Sequence, residues 1–158
     1  MLVNPLLVDF GRKSIFFVIA AIAVIFYCVA MKQRVVFFLY PGIVSLDVSG
    51  PLEVFAAATE FLERSNRMGK GYAPVFAACA PGPVRTSSGL ELLAEIALND
   101  VSPDILVVPG APDAETAAKN PQITEQIRAA AARAGRIAGV CSGAFILAAC
   151  GLLHGKRA

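Results

Sequence analysis

Apolar positions in this chain fall into short unbroken runs separated by stretches of helical spacing. "RVVFFLY" (34–40) is a β-branched and aromatic run ended by Pro41-Gly42, which predicts a strand buried on both faces and therefore a parallel sheet. "YAPVFAACA" (72–80) reads as a second strand, "DILVVPGA" (104–111) as a third, buried and ended by a proline-glycine turn, and "RIAGV" (136–140) as a fourth. From Pro51, "PLEVFAAATEFLERS" returns apolar residues at Leu52, Phe55, Ala56, Thr59 and Leu62, the spacing of a helix with proline in its first turn. A second helix is expected over 121–134, with Asn120 as cap and Pro121 at its first position, and a third over "SGAFILAACG", closed by Gly151. Ser65 to Gly71 reads as a polar loop, and the pieces 84–86 and 90–93 as a small hairpin beside the main sheet. Strands alternating with helices predict a doubly wound α/β domain.

One run departs from this scheme. "SIFFVIAAIAVIFYCVA" (14–30) is uncharged, is flanked by Arg12 and Lys13 and by Lys32 and Arg34, and lifts the hydrophobic fraction to 56% and the mean hydropathy to +0.65. Its length meets the lower bound for spanning a bilayer, so the first expectation is a leader (1–33) with a transmembrane helix at 14–30, followed by a domain over 34–158. Two other readings stand beside it: a secretory signal peptide ending at Cys28-Val29-Ala30, and a start-site artefact in which translation begins at Met31. The expected location is accordingly membrane-anchored with a cytoplasmic domain, or cytoplasmic from Met31.

A net charge of +2, from 14 basic and 12 acidic residues, supplies no basic patch and argues against direct nucleic-acid contact. Cys28, Cys79, Cys141 and Cys150 lack the paired spacing of a zinc site or disulfide scaffold, and His154 is the single histidine, so neither a metal nor another cofactor is expected.

Ligands of such sheets bind at the carboxyl ends of the strands. Three strand ends carry chemistry here: Asp47, Gly110-Ala111 and Cys141. Gly139-Val140-Cys141-Ser142-Gly143 fits the strand-to-helix elbow, in which small residues let a tight bend expose a nucleophile. At a helix N-terminus, unpaired N–H groups favour the thiolate; the competing reading is a small buried residue at a tight crossing. Asp47 is expected on a loop facing the elbow, either as a proton donor to the reaction or as a helix cap. The N–H groups of Gly110, Ala111 and Ser142 are candidate donors to a developing anion. Glu53 reads as solvated, Thr86 to Ser88 as a polar turn, Cys79 and Cys150 as core, and His154 as a surface turn.

Four ordered segments, "FLYPGIVSLDVSGPLEVFAAA", "VRTSSGLELL", "PDILVVPGA" and "GVCSGAFILAACGLLHGKRA", resemble the ThiJ/PfpI superfamily of class I glutamine amidotransferase-like domains, from about Arg34 onward. The resemblance implies a flavodoxin-like fold, with Cys141 as nucleophile, Asp47 as its acid partner, and Gly110 and Ser142 in the anion-binding shell. It is strongest to the sensing domain of GlxA-type AraC-family regulators and to isocyanide hydratase, both of which carry an aspartate four residues before the proline matching Pro51. "PGA" stands where the family often has "PGG", and "CSG" where "CTG" is frequent. The family usually continues past "GKRA", so a C-terminally truncated domain is expected. Missing strands would leave an open sheet edge and call for a homodimer or another partner. Two functions follow: a small-molecule-sensing module of the regulator type, or a cysteine enzyme that adds water to an isocyanide and releases an N-substituted formamide.

Overall fold

The computed structural model describes residues 32–156 except 66 and 68. In chain order its elements are β1 (Gln33–Phe38), α1 (Leu46–Arg64), β2 (Tyr72–Ala78), β3 (Gly82–Arg85), β4 (Glu91–Ala94), β5 (Ile96–Ala97), β6 (Ile105–Val108), α2 (Ala114–Lys119), α3 (Pro121–Ala131), β7 (Arg136–Gly139) and α4 (Gly143–Ala149). Five strands form a parallel sheet in the order β5-β2-β1-β6-β7, while β3 and β4 pair antiparallel as the expected hairpin. The chain moves outward from β1 to β2 and then crosses back to β6. The order therefore reverses between β1 and β6, the place where α/β sheets open a crevice at their carboxyl ends.

The run Val35–Leu39 is fully buried, as its composition predicts. Phe37 anchors α1 and β2 to the sheet: its ring centroid lies 6.4 Å from Phe55 and 5.7 Å from Phe76. On α3, Ile123, Thr124, Ile127 and Ala130 form the buried stripe of an amphipathic helix, and the Asn120 side chain caps it by accepting from the Gln122 N–H. Pro74 is tolerated inside β2 because β5 pairs only with Ala77 and Ala78, leaving β2 one neighbour at the level of the proline.

One local expectation needs correction, and two features go beyond what the pattern predicts. Helix α1 begins at Leu46 rather than at Pro51, which lies inside it. Its first turn is tight, with Asp47 and Val48 N–H groups donating to Val44 and Ser45 carbonyls, and the proline forgoes the bond to the Asp47 carbonyl. Helix α2, capped by Asp113 accepting from the Thr116 N–H, falls in a stretch to which the sequence pattern assigned no element. The expected fourth strand forms as β7, but all four of its residues are exposed, because among the described residues β7 pairs only with β6.

The expected membrane anchor is also corrected. Among the described residues no helix is long and apolar enough to cross a membrane. The segment 14–30, where that helix was expected, lies outside the described residues.

Candidate functional site

At the end of β7 the Val140 N–H donates to the Val108 carbonyl at 2.9 Å, and the next residue breaks the strand. Cys141 has φ +54°, the one non-glycine residue with positive φ among those described. This conformation costs an L-residue roughly 1–2 kcal/mol and persists only where the surroundings impose it. They do so through two glycines. A Cβ on Gly143 would overlap the Val108 carbonyl oxygen, and one on Gly139 would stand 3.0 Å from the Ala144 nitrogen. Helix α4 can thus start directly against the end of β6. The bend leaves Cys141 exposed, whereas Cys79 is half-buried and Cys150 buried, with burial pushing both of those thiols up.

Asp47 belongs to the first turn of α1 rather than to a loop, and its Oδ2 accepts from the Gly110 N–H at 3.0 Å. Ser142 reaches the same loop from the elbow: its Oγ accepts from the Ala111 N–H at 3.0 Å and donates to the Ala111 carbonyl at 2.8 Å. A Cβ on Gly110 would stand 2.8 Å from Asp47 Oδ2 and 2.8 Å from the Ser142 nitrogen, so the carboxylate and the amide after Cys141 face each other across this glycine. The ends of β1, β6 and β7 therefore converge as the topology requires. Of the three amides considered as anion donors, those of Gly110 and Ala111 are held by Asp47 and Ser142. The Ser142 N–H meets no protein acceptor among the described residues.

Tyr40 lies beneath this cluster, 1% exposed, and its hydroxyl donates to the Pro109 carbonyl at 2.6 Å. Burial first, and then the charges of Asp47 and Cys141, push the phenol well above its usual range, so it remains a hydrogen-bond donor. An aromatic residue at the end of an apolar run carries no sequence signal for this role. Beside the site a cavity of about 260 Å³ is lined by Pro41, Gly42, Ala111, Thr116, Asn120 and Ile123 among others. Glu53 and His154 are exposed, and Thr86 is buried with its hydroxyl donating to the Leu90 carbonyl. Among the described residues no group of three potential ligands is placed to hold a metal ion.

The sequence pattern of the DJ-1/PfpI family matches residues 33–158. The "uncharacterized protein in cpoL 5'region" of Streptomyces lividans is 39% identical over 130 residues, covering 82% of this chain and 87% of its own. Isonitrile hydratase of Pseudomonas putida is 31% identical over 129 residues, covering 81% of this chain, which spans only 52% of the hydratase. A glutathione-independent glyoxalase of Caenorhabditis elegans, DJR-1.2, is 29% identical over 86 residues, 52% of this chain and 46% of the glyoxalase. Among solved structures, a ThiJ/PfpI family protein from Pseudomonas syringae superposes with a TM-score of 0.64 at 27% identity, over 77% of this chain and 47% of that one.

Proposed function

The chain belongs to the DJ-1/PfpI family, and on that premise we propose that it is a cysteine-dependent enzyme adding water to a small neutral carbon electrophile of the isocyanide type. The observation that carries this reading is the backbone of Cys141: a strained residue that presents its thiol to solvent beside Asp47. Strain of this kind clusters at active sites, ligand clamps and switch regions, and the exposed thiol it presents here favours the first of these.

The Cys141 thiol passes its proton to the Asp47 carboxylate, the resulting thiolate attacks the terminal carbon of R–N≡C to form a C–S bond, and Asp47 delivers that proton to the carbon. The product is a thioimidate, R–N=CH–S–Cys. Water then adds across the C=N bond, its oxygen to carbon and a proton to nitrogen. The C–S bond breaks, the hydroxyl proton returns to Asp47, and R–NH–CHO leaves with the thiolate restored. The Ser142 N–H, next in the chain after Cys141 and without a protein acceptor among the described residues, is available to steady the thiolate before attack and again when the C–S bond breaks. Asp47, Ser142 and Tyr40, the polar side chains that build the site among the described residues, carry no positive charge, which suits an uncharged substrate.

Asp47→Asn tests the proton donor. The amide oxygen can still accept from the Gly110 N–H, so the loop keeps its place while the acid is removed. Formamide production from an alkyl isocyanide, followed by NMR, is expected to fall by about 10²–10⁴. Full activity in this variant would remove Asp47 from the reaction. The sensing-module reading uses the same residues and makes the opposite prediction: no formamide, and ligand-dependent thermal stabilisation that survives loss of the thiol.

A further inference from the structure

The Pro109–Gly110 peptide is gripped at both ends. Its carbonyl, on Pro109, accepts from the Tyr40 hydroxyl at 2.6 Å, and its N–H, on Gly110, donates to Asp47 Oδ2 at 3.0 Å. The next peptide is held as well, its Gly110 carbonyl accepting from the Val44 N–H at 2.9 Å and its Ala111 N–H donating to Ser142 Oγ, which in turn donates to the Ala111 carbonyl. Without the phenol, a turn of this one peptide plane would withdraw the N–H from the carboxylate and bring a carbonyl oxygen toward it.

We infer that Tyr40 is a positioning residue of the site: by holding the Pro109 carbonyl it aims the Gly110 N–H at Asp47 and so fixes the carboxylate beside Cys141. Tyr40 touches neither the substrate nor the reacting sulfur in this role; it acts through one peptide group. Asp47 and Cys141 are the charged groups that act on the phenol. The inference deepens the proposed reaction and rests on Asp47 serving it.

Tyr40→Phe removes one oxygen from a buried ring and keeps its shape. In this variant the Asp47 carboxyl loses an oriented donor, and the Gly110 amide reports that loss directly. The Gly110 amide proton should move upfield, and kcat for hydration should fall about tenfold with KM unchanged. Fluorotyrosine in place of Tyr40 is the second arm. A more acidic phenol polarises the peptide further and should move the Gly110 amide proton downfield. A folded Tyr40→Phe protein whose Gly110 shift matches the unaltered protein would overturn the inference, as would fluorotyrosine with no downfield effect. The amide shift is independent of turnover. Absence of hydration with these shifts present would count against the reaction and not against the role of Tyr40.

Discussion

Cys141→Ala is expected to reduce hydration of an isocyanide by at least about 10³-fold while the domain stays folded, since removal of a covalent nucleophile typically leaves only the residual contribution of binding and electrostatics. Alanine at φ +54° bears the same backbone strain as cysteine, and the side chain it replaces is exposed, so stability should change by less than about 1 kcal/mol. Cys141→Gly separates strain from chemistry. It relieves roughly 1–2 kcal/mol in the folded state and loses about 0.5–1 kcal/mol through the greater freedom of the unfolded chain. The glycine variant should be as inactive as the alanine variant and melt no lower than the parent. Undiminished formamide production by the alanine protein would take the thiol out of the mechanism.

Gly143→Ala should be the most damaging single methyl group in the site. The added carbon would overlap the Val108 carbonyl oxygen and stand 2.9 Å from that of Pro109. Both obstacles are backbone, belonging to β6 and the loop that holds Asp47, so no flexible side chain can yield. Helix α4 would have to move off the sheet, at a cost of about 3 kcal/mol. Cys141 would lose its exposed position with it. Gly50→Ala provides the contrast: nothing stands within 4 Å of its notional Cβ, and it lies within α1, so helix propensity predicts a gain of about 0.5–1 kcal/mol. Chemical denaturation of the two variants checks both signs. Equal stabilities would mean that the elbow does not press on β6.

The elbow was legible because its signals are local: an apolar run, a glycine two residues before the cysteine and another two after it, then a helical pattern. Asp47 was legible as a candidate but not as a helical residue, since Pro51 looked like a helix start. Only the i→i−3 bonding of the preceding turn shows that the helix begins earlier. For α1 the periodicity was sound in part: Leu52, Phe55, Thr59 and Leu62 are partly buried, whereas Ala56 is exposed. The exposure of β7 was hidden altogether, because a strand's composition does not say how many neighbours it has.

By itself the sequence determined the parallel α/β alternation, the sharp bend at Cys141, and the candidates Asp47, Gly110 and Ser142, all of which follow from side-chain size, spacing and backbone freedom within a few residues. Tertiary structure alone decided what each polar group holds. The Tyr40 hydroxyl meets a carbonyl 69 positions away, and Asp47 an amide 63 positions away, only because β1 and β6 lie side by side at the reversal of the sheet. Hydrogen-bond direction depends on strand order and register, which no short stretch of chain encodes.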